Sequence, residues 1–217
     1  MKIKLIIFDL DGTLIDTLSD IEHIFNYVLI QNGYQERSKS FYKNNIGNGF
    51  ENLLRKCLPD YFNGDFDLLA NSVRDRYESH LNTKTIIFDG ITTVLECLKK
   101  KKVKIAVISN KLHSLAVRSV KKYFNAYEIK VIGAEGGFPR KPSPDSTFHM
   151  LQHFNCHSSD ALFVGDSIVD IKTAQNANVS SVGVLWGNGD KEDFKKQKSD
   201  FILESPQDIL DILDSIE

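Results

Sequence analysis

The chain has little cysteine, no surplus of charge of either sign and no long apolar run. Its three cysteines, Cys57, Cys97 and Cys156, are odd in number, far apart and without a C-x-x-C pair. Neither a disulfide framework nor a cysteine metal knuckle is expected, and free thiols in a reducing cytoplasm are the simplest reading. Lys and Arg number 27 against 29 Asp and Glu, a net charge of −2. That balance argues against nucleic acid and anionic membrane surfaces as partners, since both ask for an excess of basic residues. The apolar run that opens the chain stops at Asp9, too early for a signal peptide, and no other stretch is long enough to span a bilayer. A cytoplasmic protein without a membrane partner is expected, and no internal repeat or low-complexity linker is evident.

What the chain does have is an ordinary globular composition. Of 217 residues, 41% are apolar and 26% charged, enough to fill an interior. The length suits one core domain carrying an insertion. Residues 3–8 form a β-branched and aromatic run that ends in an Asp- and Gly-containing segment, as a buried parallel strand feeding a functional loop does. From Leu18 the period becomes helical, through Ile21, Ile24, Phe25, Val28 and Leu29, with Thr17 as a candidate N-cap and Gly33 as the stop. Helical patterning resumes over 50–58 and 68–81, so 16–82 reads as an all-helical block.

After Gly90, helix and strand alternate. Helices are predicted near 91–101, 112–124, 144–155 and 168–177, and strands near 103–108, 129–132, 161–164, 181–185 and 201–203. A last helix follows Ser205 and Pro206, with apolar Ile209, Leu210, Ile212, Leu213 and Ile216. This alternation predicts an α/β fold, a doubly wound parallel sheet built from 1–15 and 83–217, with the helical block 16–82 as a cap. Ligands of such sheets bind beyond the carboxyl ends of the strands.

Three predicted strands end in chemically suited residues at that edge: Asp9 and Asp11, then Ser109 and Asn110, then Asp166 and Asp170. Four carboxylates in one partly dry cleft repel one another and raise one another's pKa unless a cation offsets them. Hard oxygen donors without His or Cys beside them favour Mg²⁺. Lys141, on the proline-stiffened segment Arg140-Lys141-Pro142-Ser143-Pro144, offers a compact charge for a phosphate oxygen or an attacking carboxylate. Ser109 can add a hydroxyl and a backbone N–H. A metal, a cation and anion donors are the parts that phosphoryl transfer uses.

Asp9-Leu10-Asp11-Gly12-Thr13-Leu14, Ser109-Asn110, Lys141-Pro142 and Gly165-Asp166-Ser167-Ile168-Val169-Asp170 occur in the order of the four motifs of the haloacid dehalogenase-like phosphohydrolase superfamily, which the chain resembles over nearly its whole length. Within it the chain is similar to the phosphoglycolate phosphatase-like group, through the inserted helical block, Ile46-Gly47-Asn48-Gly49 inside it and Gly183-Val184-Leu185-Trp186-Gly187 late in the chain. The resemblance implies a Rossmann-like core and a Mg²⁺-dependent phosphatase. It implies Asp9 as the nucleophile that forms an aspartyl-phosphate, and Asp11 as general acid and then base. Ser109 and Lys141 would hold the phosphoryl group, with Asn110 close by. Asp166, with Asp9 and the backbone carbonyl of Asp11, would hold Mg²⁺, supported by Asp170. A carboxylate at Asp11 also argues for phosphate chemistry over carbon–halogen cleavage.

Substrate choice is expected to fall to the cap. Lys43-Asn44-Asn45-Ile46-Gly47-Asn48-Gly49 is either a loop lowered onto the leaving group or a plain interhelical turn. Lys43, Gly47, Asn48 and Arg55 are the candidate specificity residues, with Lys43 and Arg55 offered to a substrate carboxylate or second phosphate. The expected partner is a small phosphorylated metabolite, 2-phosphoglycolate first, and the protein a monomer or homodimer. The rival readings are β-phosphoglucomutase-like phosphoryl return, pyrophosphate cleavage and a non-catalytic binding protein. His149, His153 and His157 at i, i+4, i+8 could capture Zn²⁺ if one helix carried all three, but a solvated face is the favoured reading. Lys99–Lys102 are read as cations at a helix end, and Trp186 as a packing residue.

Overall fold

A computed structural model describes residues 2–215, so the apolar position expected at Ile216 falls outside the described residues. The chain runs β1 (Leu5–Phe8), β2 (Ile15–Asp16), α1 (Leu18–Gln31), α2 (Lys39–Lys43), α3 (Phe50–Cys57), α4 (Phe66–His80), β3 (Ile86–Ile87), α5 (Ile91–Lys100) and β4 (Lys104–Leu112). It continues with α6 (His113–Phe124), β5 (Ile129–Ala134), α7 (Asp145–His153), β6 (Ala161–Gly165), α8 (Ile168–Asn176), β7 (Ser180–Val184), α9 (Lys191–Lys196), β8 (Phe201–Leu203) and α10 (Asp208–Ser215).

Six strands form one parallel sheet in the order β5-β4-β1-β6-β7-β8. Because side chains alternate across a strand, Leu5 and Ile7 of β1 enter one core while Ile6 and Phe8 enter the other. The first core is closed by Met150 and Leu151 of α7 and Ala174 of α8, the second by α5, α6 and α10. All four β1 side chains are fully buried, and each such side chain contributes about 1.5–3 kcal/mol by leaving water. Phe8 stands in register with Val107 of β4 and Val164 of β6, so the segments that follow all three strands leave at one edge.

Helices α1 to α4 are packed around a separate cluster that includes Phe25, Tyr42, Leu54, Val73 and Tyr77, joined by Leu112 at the end of β4 and Leu115 in the first turn of α6. Phe25 packs edge-on to Tyr77, ring centres 6.1 Å apart. The two chain passages between this helical insertion and the sheet pair as an antiparallel ribbon, Ile15 with Ile87 and Asp16 with Ile86. Asp20, in the first turn of α1 and buried, fastens the returning passage. Its carboxylate accepts from the Thr83 hydroxyl at 2.6 Å, the Lys84 N–H at 2.8 Å and the Thr85 hydroxyl.

Several elements differ from the sequence reading. The ribbon strands β2 and β3 and the short helices α2 and α9 carry no sequence signal, since two to six residues give no periodicity to read. Strand β4 continues to Leu112 through an irregularity between Ile108 and Leu112, so Ser109 and Asn110 sit in a bulged strand end and not beyond it. Helix α7 stops at His153 because Asn155 takes a left-handed φ of 50°. His157 therefore leaves the face that His149 and His153 share, and the three imidazoles are not brought together as a metal site. His149 packs on Phe138 at 4.8 Å instead. Among the described residues no helix is long and apolar enough to cross a membrane.

Candidate active site

Asp9 follows β1, Asp166 follows β6, and Asp170 sits in the first turn of α8. Ser167 caps that helix and closes a reciprocal box with Asp170: the Ser167 N–H and hydroxyl donate to Asp170 Oδ2 at 3.0 and 2.6 Å. The other Asp170 oxygen accepts from the Lys141 ammonium at 2.6 Å, and the same ammonium lies 2.8 Å from Asp9 Oδ1. Lys141 thus joins the nucleophile candidate to the α8 carboxylate, with all three side chains withdrawn from water. Burial works against the Lys141 charge, but Asp170 and Asp9 outweigh it and hold the ammonium above its ordinary range.

The carboxylates show the strain of being together. Burial, added to by the negative charges of Asp170 and Asp166 and opposed by Lys141, pushes Asp9 up to about 8. Burial and Asp170 push Asp166 up to about 6, against two hydrogen bonds from Asn188. Asp9, Asp166 and Asp170 each bring an oxygen within 4.8 Å of the others, and Asp9 Oδ1 is buried with the Lys141 ammonium 2.8 Å away. Three hard oxygens in a pocket that resists negative charge fit a divalent cation of the Mg²⁺ kind.

Asp166 is held by a tight backbone cradle. Asn188 donates to Asp166 Oδ2 from its backbone at 2.9 Å and its side chain at 2.8 Å. Gly12, at φ +87°, approaches so closely that a Cβ there would stand 2.0 Å from Asp166 Oδ2, and one on Gly187 would stand 1.9 Å from the Gly12 carbonyl oxygen. The Trp186 indole donates to the Thr13 carbonyl at 2.9 Å, which makes it the packing residue the sequence suggests.

Asp11 faces another way. Its carboxylate lies outside the acidic trio and pairs with Lys111, whose ammonium is 3.1 Å from each Asp11 oxygen. Beside this pair a cleft of about 610 Å³ opens, walled by Asp9, Asp11, Ser109 and Asn110 on the sheet side and by Ile46, Gly47, Phe50, Arg74 and Tyr77 of the helical insertion. The carboxyl ends of β1 and β4, the latter with Lys111, thus converge on one opening, whereas Asp166, Asp170 and Lys141 are not among its lining residues.

A family model described as haloacid dehalogenase-like hydrolase matches residues 6–184. The chain belongs to that family. Among curated relatives, "Putative pyrophosphatase PpaX" of Caldanaerobacter subterraneus subsp. tengcongensis is 32% identical over 98% of this chain and 96% of its own. A phosphoglycolate phosphatase of Aquifex aeolicus is 31% identical over 98% of this chain and 97% of its own. Among solved structures, that of a "putative phosphoglycolate phosphatase" from Lactobacillus delbrueckii subsp. bulgaricus superimposes with a TM-score of 0.88 at 26% identity, covering 98% of this chain and 99% of the other.

In this member of the haloacid dehalogenase-like hydrolases, the remaining sequence-derived candidates fall in different places. Asn110 occupies its amide on neighbouring backbone: it donates to Gly47 O at 2.9 Å and Lys141 O at 3.2 Å and accepts from Lys141 N at 2.9 Å. It joins the insertion's loop to the Lys141 segment. Gly47 lines the cleft, whereas Lys43 lines a second pocket with Asp16, Trp186 and Asn188. Arg55 does not reach the cleft; its guanidinium stacks on Phe66 at 3.7 Å, because the face of α3 that bears it turns toward α4. Asn48 is not among the lining residues. Sequence reasoning missed Lys111, Asn188 and Arg74. Lys111 adjoins Ser109-Asn110 and could have been found by extending that motif by one residue. Nothing local marks Asn188 or Arg74.

Proposed function

We propose that this chain is a cytoplasmic, Mg²⁺-dependent phosphomonoesterase acting on a small phosphorylated metabolite, with 2-phosphoglycolate as the first candidate and the helical insertion as the cap. The observation that carries this reading is the Lys141 ammonium set between Asp9 and Asp170 at 2.8 and 2.6 Å, with Asp166 beside them. The names of the Aquifex relative and the Lactobacillus structure favour phosphoglycolate. The name of the Caldanaerobacter relative keeps pyrophosphate as the second candidate.

Asp9, Asp166, the Asp11 carbonyl and, in support, Asp170 would hold the ion, which when bound supplies positive charge to the nucleophile and a phosphoryl oxygen. Lys141 and Ser109 orient the phosphoryl group. An Asp9 oxygen attacks phosphorus and the ester P–O bond breaks, while Asp11 gives a proton to the departing oxygen. Water then attacks the aspartyl-phosphate, Asp11 takes its proton, and inorganic phosphate leaves with the Asp9 carboxylate restored. Apolar side chains from the insertion, Ile46 and Phe50 among them, keep bulk water from the intermediate.

Release of inorganic phosphate from a panel containing 2-phosphoglycolate, pyrophosphate and β-glucose 1-phosphate tests the reading. The expected result is Mg²⁺-dependent release from 2-phosphoglycolate, abolished in Asp9→Asn. Isomerised sugar phosphate with little release would favour a mutase. No turnover by the wild type, or equal turnover by Asp9→Asn, would remove the nucleophile.

A further inference from the structure

The part of the cleft that receives the leaving group has a narrow chemistry. Beyond the motif residues its walls are aliphatic and aromatic, with Ile21, Phe50, Leu53 and Leu115 among them. The polar exceptions among the lining side chains are Tyr77, Arg74 and Lys111. Arg74 is already balanced: its guanidinium donates to both Glu135 oxygens at 3.1 and 3.3 Å and lies 3.8 Å from Glu51. A polyhydroxyl leaving group would find few partners on such walls, and each unmet hydroxyl would cost binding.

Lys111 differs from Arg74. Its side chain is only 5% exposed, and its ammonium has three donors. Two reach the Asp11 oxygens, and the third has no acceptor among the described residues. The Tyr77 ring stands 5.3 Å away. A buried ammonium with an unspent donor, beside the group expected to protonate the leaving oxygen, is suited to a short anionic group attached to that oxygen.

Resting on the phosphatase reading above, we propose that Lys111 is the specificity-determining residue for the leaving group. It selects phosphoesters or phosphoanhydrides whose leaving group carries its own anion close to the bridging oxygen, a carboxylate or a second phosphoryl group. Arg55 and Lys43, the cations the sequence offered for this role, stand elsewhere.

The test separates binding from turnover. In an Asp9→Asn background with Mg²⁺ present, calorimetry gives the Kd of 2-phosphoglycolate and of ethyl phosphate, which has a methyl in place of the carboxylate. The expected preference for 2-phosphoglycolate is about tenfold or more, the size of one charge-assisted hydrogen bond. Adding Lys111→Met should collapse it to about twofold or less, with Lys111→Gln used if the Met variant does not fold. A preference that survives the loss of Lys111, or that is absent from the start, overturns the proposal and leaves Lys111 as a prop for Asp11 alone. Pyrophosphate in the same titrations separates the two anions: tighter Lys111-dependent binding than 2-phosphoglycolate assigns the second phosphoryl group, and weaker binding assigns the carboxylate. If the wild type releases no phosphate while the Kd preference depends on Lys111, the phosphatase reading falls and this inference stands. Phosphate release with a Lys111-independent preference gives the opposite result.

Discussion

Asn188 donates to a single oxygen of Asp166 twice, from its backbone N–H at 2.9 Å and from its side-chain amide at 2.8 Å. One residue thereby fixes the direction of a carboxylate that stands in the acidic trio with Asp9 and Asp170. Partners that orient a ligand for a metal typically change affinity by about 10–100-fold when removed. Asn188→Ala keeps the backbone donor and loses the amide, so the lower end applies. Mg²⁺ affinity followed by calorimetry should fall about tenfold, with the thermal midpoint of the metal-free protein nearly unmoved. Unchanged affinity would make Asn188 a turn residue only.

Asp9, Asp11, Ser109, Lys141, Asp166 and Asp170 were legible because each lies at or beside a strand end or on a proline-marked segment, and the parallel sheet brings such ends to one edge. The register of Phe8 with Val107 and Val164 is what turns that sequence order into proximity. Lys43 and Arg55 were misplaced for a different reason. Their charge is evident, but which side of a short helix faces the cleft depends on packing around Tyr42 and Leu54, which no local pattern encodes. Asn188 is reached only through the close approach of Gly187 to Gly12. Helix α9 buries Phe194 alone, too little for an apolar stripe.

Burial and mutual repulsion make the metal-free site resist ionisation, and this has a pH signature. The Asp9 carboxyl is raised from 3.8 to about 8 and that of Asp166 to about 6. Between the ordinary carboxylate range and those values the folded chain holds protons that the unfolded chain has released, so stability from these groups is fully present at low pH and is lost as pH rises toward about 8. A divalent ion binds the ionised form and displaces those protons. Thermal midpoints with and without Mg²⁺ should therefore diverge as pH goes from 5 to 8, the gain from Mg²⁺ being largest at the alkaline end. Calorimetry at pH 7 in buffers of different ionisation enthalpy should register proton release on Mg²⁺ binding. A pH-independent gain would contradict the raised values.

The buried Asp20 carboxylate connects the start of α1 to the chain returning from the insertion, through Thr83, Lys84 and Thr85. All three partners donate, so the site calls for an acceptor at both oxygens. Asp20→Asn keeps an acceptor for Thr83 and Lys84 and turns the other oxygen into an amide that donates to the Thr85 hydroxyl, so the three bonds lose their charged acceptor. The expected loss is about 1 kcal/mol, the difference between a hydrogen bond to a charged and to a neutral acceptor, read as a lower urea midpoint with an unchanged denaturant slope. The slope also reports on the insertion: if the Asp20 contacts are all that keeps it docked, Asp20→Asn should lower the slope and split the transition in two. A single transition with the wild-type slope would assign the docking to the Leu112 and Leu115 contacts with the helical cluster.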